Sequence, residues 1–226
     1  MQLGKLTKSR ADEEKRCYDD ACAAAHGMDL IGDRWAMPVI RELLLGPRRF
    51  GDLKASLRGI SANVLTQRLT GLEEAGILVR RKLPPPASVQ VYELTPWGYE
   101  AAPIFQAIGR WAVRSPRHDP TRPFSPVSLM LSLRTMFSAE AAGDFTARIQ
   151  LRLDGEPFFW IREAGAVRIG RGEVDLPDFT LSGSPGDIAA IVYGGAPLEI
   201  ARSEGDLTRA RHFVTLFPLP PKAPLD

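Results

Sequence analysis

The stretch Ser61-Ala-Asn-Val-Leu-Thr-Gln-Arg-Leu-Thr-Gly-Leu-Glu-Glu-Ala-Gly76 spells out a helix with an apolar back and a polar, uncharged front. Ser61 is a good N-cap, because its hydroxyl can accept from the free N–H groups of the first turn. Ile60 and Leu65 stand at the N′ and N4 positions of a hydrophobic staple, which sets where the helix starts, and Gly76 ends it. At roughly 100° per residue, Leu65, Leu69 and Leu72 fall within about 60° of one another and form the core-facing stripe. The opposite face carries Asn63, Thr66, Gln67 and Thr70, with Arg68 on the flank nearer the leucines. Asn and Gln pair with adenine edges in a major groove and Thr meets a thymine methyl, so this front suits base reading. A merely solvated helix has the same pattern, and the neighbouring elements decide between the two.

Upstream, Asp19 to Ile31 and Trp35 to Leu45 show helical spacing on either side of Gly32, and Gly46-Pro47 stops the second. Phe50, Leu53 and Leu57 form a third short stripe that closes at Gly59. Downstream, Ile77 to Leu83 and Val89 to Leu94 read as strands around the turn Pro84-Pro-Pro-Ala-Ser88. This hairpin carries Arg80, Arg81 and Lys82, placed to meet phosphates or the minor groove beside the groove the helix enters. Three helices followed by a basic hairpin give a winged helix-turn-helix. Thr95-Pro96 then caps another helix, running through Ile104, Phe105, Ile108, Trp111 and Ala112. That stripe is long for so small a domain; it pairs with the same helix of a second subunit or packs inside the monomer.

The 226 residues allow one large domain or two small ones. A 44% hydrophobic and 25% charged composition excludes disordered and fibrous classes. No apolar run approaches the ~20 residues of a membrane span, and Met1 to Arg16 lacks the apolar core of a secretory signal, so a cytoplasmic location is expected. Two cysteines, Cys17 and Cys22, and three histidines leave no zinc-ligand cluster, and no metal or cofactor is expected. Residues 1–115 hold 17 Lys and Arg against 13 Asp and Glu, a net +4, whereas residues 116–226 hold 12 against 14, a net −2. Arg48 to Lys82 alone has eight basic against three acidic residues, so the cations cluster around the front-bearing helix.

Several motifs in order resemble the HxlR family of winged-helix transcriptional regulators, relatives of the MarR group. They are Cys22, Asp29-Leu-Ile-Gly-Asp-Arg-Trp35, Gly46-Pro-Arg-Arg-Phe-Gly-Asp-Leu53, Gly59-Ile-Ser-Ala-Asn-Val-Leu-Thr-Gln-Arg-Leu69, Leu72-Glu-Glu-Ala-Gly76 and Val91-Tyr-Glu-Leu-Thr-Pro-Trp-Gly98. The resemblance covers Tyr18 to Ala112 and implies sequence-specific DNA binding, with phosphate contacts from cations such as Arg34 and Arg49. Family members have Gly-Gly-Lys-Trp where this chain has Gly32-Asp33-Arg34-Trp35, which keeps a cation but sets an acid beside it. Redox-sensing relatives suggest a role for Cys22. The proline that often follows that cysteine is Ala23 here, and a buried inert thiol is the other reading. Cys17 and Cys22 would lie about 140° apart on a helix and would not face each other.

Four prolines between Ser115 and Pro126 mark residues 115–126 as a linker between a winged domain at 1–114 and a second unit at 127–217; Pro218 to Pro224 read as a frayed tail at 218–226. The second unit reads as α+β, an antiparallel sheet with helices. Strands are expected at Phe145 to Leu153, Phe158 to Ile161 and Phe179 to Leu181, with Glu156-Pro157 as a turn, and helices at Val127 to Phe137, Pro185 to Tyr193 and Gly205 to Phe217. The order ending in strand, apolar helix and final helix resembles the sterol-carrier-protein-like fold, which implies an apolar cavity. Met130, Leu133, Met136, Phe158 and Trp160 are its candidate lining, or plain core.

Together these features describe a homodimeric transcription factor on a pseudopalindromic duplex DNA operator. Ser61, Asn63, Thr66, Gln67, Arg68, Thr70, Arg80, Arg81 and Lys82 lie at the interface, and an apolar small molecule in the second unit modulates it. The alternative is a lipid carrier that uses the first unit only to dimerise. The three histidines stand at no nucleophile spacing, and Gly170-Arg-Gly172 suits a hairpin rather than a phosphate loop, so no enzyme is expected.

Overall fold

A computed structural model describes residues 18–224; Cys17 and the stretch Met1 to Arg16 lie outside the described residues. The first unit holds α1 (Ala23–Ile31), α2 (Ala36–Leu43), α3 (Phe50–Ser56) and α4 (Ala62–Glu74). The hairpin β1 (Leu78–Lys82) and β2 (Gln90–Leu94) follows, then α5 (Pro96–Tyr99) and α6 (Ala101–Ala112). Leu53, Leu57, Leu65, Leu69 and Leu72 pack on Val39, Ile40 and Leu43 of α2 in a dry core. The expected single helix from Thr95 breaks at Glu100. Pro103 has no N–H for the Tyr99 carbonyl, so the ladder restarts one turn on.

The base of the hairpin is pinned by a close approach. The Thr95 hydroxyl donates to the Gly76 carbonyl at 2.8 Å, and its backbone N–H donates to the Ile77 carbonyl at 3.0 Å. Gly98 sits so near that carbonyl that a Cβ there would lie 2.0 Å from its oxygen, so only glycine fits.

The second unit begins with α7 (Pro126–Met136) and α8 (Ala139–Ala142). Strands β3 (Ala147–Leu153), β4 (Glu156–Glu163), β5 (Ala166–Arg171) and β6 (Phe179–Gly183) follow, then α9 (Pro185–Gly194), a 3-10 turn at Leu198–Ile200, β7 (Arg202–Gly205) and α10 (Leu207–Phe213). The sheet order is β5-β4-β3-β6-β7. It is mixed rather than antiparallel as expected, because β6 runs parallel to β3. Residues 172–178 carry the chain back from the edge strand β5, and the buried Gln150 amide fastens this crossover, accepting from Val174 N–H at 2.9 Å and donating to the Gly172 carbonyl at 3.3 Å. Glu156 and Pro157 open β4 instead of turning, since Asp154 and Gly155 take the positive-φ positions of the hairpin. Strand β7 had no apolar alternation to announce it.

The two units share one continuous core. In α7, Val127, Leu129, Met130, Leu131, Leu133, Thr135 and Met136 are all buried, and the helix touches α2 and α6 on one side and β5 and α9 on the other. The expected linker is therefore shorter. Ser125 is the N-cap of α7, its hydroxyl accepting from Ser128 N–H at 3.0 Å, and Pro126 is the first helical residue. The Ser125 hydroxyl also donates to the fully buried Glu42 carboxylate of α2 at 2.6 Å, while Arg41 donates to the same oxygen at 2.8 Å. Arg110 of α6 donates to the Thr135 carbonyl at 2.8 Å.

A further tie joins the wing base to the sheet. Arg48 and Arg171 both meet Glu156, at 3.2 and 2.5 Å. Partial burial pushes the Glu156 carboxyl up, but the two guanidinium charges outweigh it and hold the group below the usual carboxylate range.

Residues 222 and 223 of the stretch expected to fray are tied back to α6. Lys222 donates to the Val113 and Ser115 carbonyls at 2.9 and 3.2 Å, and Ala223 N–H donates to the Arg114 carbonyl at 2.7 Å. Prolines lack N–H groups, so Lys222 and Ala223 supply the donors that the C-terminal carbonyls of α6 need. A shared core implies shared cooperativity: Leu133→Ala should cost about 2–5 kcal/mol. Chemical denaturation followed by tryptophan fluorescence and by far-UV dichroism should show both units unfolding in one shifted transition.

Candidate nucleic-acid interface

Helix α4 is fixed at its N-terminus as expected, with the Ser61 hydroxyl accepting from Val64 N–H at 3.2 Å. Ile60 and Leu65 are both buried beneath the cap. With Leu65, Leu69 and Leu72 turned into the core, Asn63, Thr66, Gln67 and Thr70 project into solvent. These four side chains form an exposed face of donors and acceptors without a formal charge.

Cations surround this face, but not all are equivalent. Arg68 is half-buried and pairs with Asp33 of the turn between α1 and α2. The acid that distinguishes Gly32-Asp33-Arg34-Trp35 therefore has a job: it fastens the α1–α2 turn to the flank of α4. On the wing, Arg81 pairs with Glu93 of the neighbouring strand, and this bond holds its guanidinium firmly protonated. Arg80 and Lys82 occupy the other face of β1, opposite Tyr92 and Gln90, and are exposed. Arg34 is exposed, with its guanidinium 5.6 Å from the Trp35 ring centre, and Arg49 is exposed at the N-cap of α3. Among the described residues, the expected cations thus divide into Arg34, Arg49, Arg80 and Lys82, which have no acid partner, and Arg68 and Arg81, which do. Asp33 and Glu93 were invisible as site residues in the sequence, because each acts across a fold contact.

Helix α6 shows two faces. Phe105 turns inward toward the core and Ala112 is half-buried, while Ile104, Ile108 and Trp111 are 48%, 45% and 76% exposed. The single stripe expected there is therefore split, and its outer half is uncovered.

The expected ligand lining does not form a cavity. Met130, Leu133, Phe158 and Trp160 are fully buried in filled core. The Trp160 ring is enclosed by Phe137, Phe213 and Phe217, with centres 5.5, 5.1 and 6.3 Å away. Only Met136 of the five reaches an open cleft, one that lies between the units.

Cys22 is exposed rather than buried, at the N-cap of α1. The nearby Ala25 and Ala24 backbone N–H groups favour its thiolate and lower its pKa. Among the described residues, no cluster of His, Cys, Asp and Glu is placed to hold a metal, and no helix is long and apolar enough to cross a membrane.

Residues 30–119 match the sequence profile of the family described as HxlR-like helix-turn-helix. The chain is 36% identical over 105 residues to the uncharacterized HTH-type transcriptional regulator sll1512 of Synechocystis, covering 46% of this chain and 76% of that protein. It is 37% identical over 86 residues to the uncharacterized HTH-type transcriptional regulator YvaP of Bacillus subtilis, covering 38% and 79%. It is also 35% identical over 83 residues to the HTH-type transcriptional regulator YodB of Bacillus subtilis, covering 37% and 74%. The family match ends before α7. In a Cys17→Ser variant, alkylation of Cys22 should titrate at a pH below that of an unstructured thiol. Urea should abolish the difference by melting the N–H cradle, as read by iodoacetamide kinetics.

Proposed function

Because the chain belongs to the HxlR-like helix-turn-helix family of transcriptional regulators, we propose that it acts as a homodimer that reads a pseudopalindromic duplex through α4. The observation that carries this reading is the outward set of Asn63, Thr66, Gln67 and Thr70 over a buried leucine back. In a major groove these side chains recognise base edges, while Arg34, Arg49, Arg80 and Lys82 neutralise flanking phosphates. Arg68 and Arg81 reach phosphates only by sharing or leaving their acids, so they set position more than affinity. Each neutralised phosphate releases counterions, and binding is accordingly steeply salt-dependent.

Two such helices must sit about one DNA turn apart, ~34 Å, to occupy successive major grooves. The outer face of α6 supports pairing, since Ile104, Ile108 and Trp111 form an apolar strip that no described residue covers. The C-terminal unit serves as a sterol-carrier-protein-like module. Its element order supports that reading, and its contribution to ligand binding is a wall rather than an interior cavity. Cys22, exposed and with a stabilised thiolate, is a site at which oxidants modify the regulator. Function in the cytoplasm accords with access to chromosomal DNA.

Selection from a randomised duplex pool should return a two-fold symmetric consensus. On it, Asn63→Ala should cost about 1–3 kcal/mol and relax one position, whereas Lys82→Ala should weaken all sequences alike and flatten the salt slope, as read by fluorescence anisotropy. A chain that selects no consensus would be a carrier that uses its first unit only to pair. Trp111→Glu should weaken self-association by about 2 kcal/mol or more and shift the light-scattering mass toward the monomer.

A further inference from the structure

We infer that the cleft where the winged unit meets the C-terminal unit binds a small amphipathic carboxylate, hydrocarbon end inward and anionic end at the mouth. The site stands on its own geometry; its use as an effector site rests on the regulator reading above. The cleft has a volume of ≈ 930 Å³, within the roughly 300–1,000 Å³ usual for small-molecule sites. Its walls are apolar: Phe105 and Ala112 from α6, Val113 at its C-cap, Met136 from α7, Ala189 from α9, and Leu219 from the returning tail. Small residues keep it open. A Cβ on Gly109 would meet nothing closer than Thr135 at 3.9 Å, and one on Gly194 would meet nothing within 4 Å.

Polar groups in the cleft are sorted by exposure. Ser132 Oγ and Tyr193 Oη lie 2.7 Å apart on the walls, and burial pushes the Tyr193 phenol up, so this pair is neutral at physiological pH. The cations are Arg117 and Arg122 of the connector and Arg41 of α2, the last paired with Glu42. The single acid among the lining residues, Asp119, is 3.5 Å from Arg122 and offsets it. Arg117 has no acid partner among the described residues. Neutral apolar walls below an unopposed guanidinium select a molecule with one negative end. A cation is repelled at the rim, and a neutral hydrocarbon leaves Arg117 unused.

One wall of the cleft is the inner face of α6, whose outer face carries Ile104, Ile108 and Trp111. A ligand that fits one tilt of this helix better than another shifts the pairing of two subunits, and so the spacing of their α4 helices.

The test is isothermal titration of the full chain with decanoate, using decan-1-ol as the uncharged control. Decanoate should saturate, and both the alcohol on the parent chain and decanoate on Arg117→Glu should bind about tenfold more weakly, the worth of one charge-assisted hydrogen bond. Ala190→Trp, which fills the cleft, should abolish binding. Arg117 lies on an exposed connector, so Arg117→Glu decides alone if the tryptophan variant does not fold. Absence of saturable binding, equal binding of alcohol and acid, or indifference to Arg117→Glu would overturn the site. Operator selection by the same preparation separates the two claims. Failure of decanoate with selection intact removes the cleft ligand alone; decanoate binding without selection upholds the cleft and removes the regulator.

Discussion

Helix α7 is apolar around most of its circumference, and only enclosure on both sides takes that surface out of water. The winged core encloses it through α2 and α6, and the sheet and α9 enclose it from the other side. Two units that sequence divides at the proline-rich connector are thereby committed to one packing arrangement. The polar ties then have a fixed geometry to satisfy. Glu42 loses its water on burial and regains hydrogen bonds from Arg41 and from Ser125, the residue that starts α7. The Glu156 pairs stitch the base of the wing to the sheet edge in the same way.

This rigidity bears on the α4 surface. Its front carries side chains with no charge of their own, whose hydrogen-bonding directions are set by where they are held. The leucine back, the Ser61 cap and the Asp33–Arg68 pair hold α4 from three directions. The Thr95 bonds and the tight Gly98 contact hold the wing beside it. Free cations sit around the periphery, at Arg34, Arg49, Arg80 and Lys82, whereas the two nearest to acids are tethered. The surface thus has unpaired charge at its edge and neutral groups at its centre.

What could be read in the residues depended on how local the signal was. Ser61, Ile60 and Leu65 act within one turn, so the start of α4 and its faces were legible. Lys82 and its neighbours follow in a hairpin, and that too was legible. Glu93 and Asp33 are unremarkable acids until folding brings them to Arg81 and Arg68. The parallel pairing of β3 and β6 depends on a crossover fixed by Gln150, which periodicity does not encode. Met130, Leu133, Phe158 and Trp160 were rightly recognised as large and apolar, but a filled core and a cavity wall need the same residues. The cleft lies instead where Phe105, Tyr193 and Leu219 converge from distant parts of the chain, and no linear spacing marks such a junction.

The return of Lys222 and Ala223 to the end of α6 orders events during synthesis. The winged half leaves the ribosome first, with the apolar surface that α7 and the sheet will cover still open to solvent, a period of exposure to chaperones and to aggregation. The carbonyls at the end of α6 obtain these donors only when residues 222 and 223 emerge. Residues 222 and 223 thus tighten the helix whose outer face carries Ile104, Ile108 and Trp111, so that a chain stopped short of them leaves that helix end without its donors.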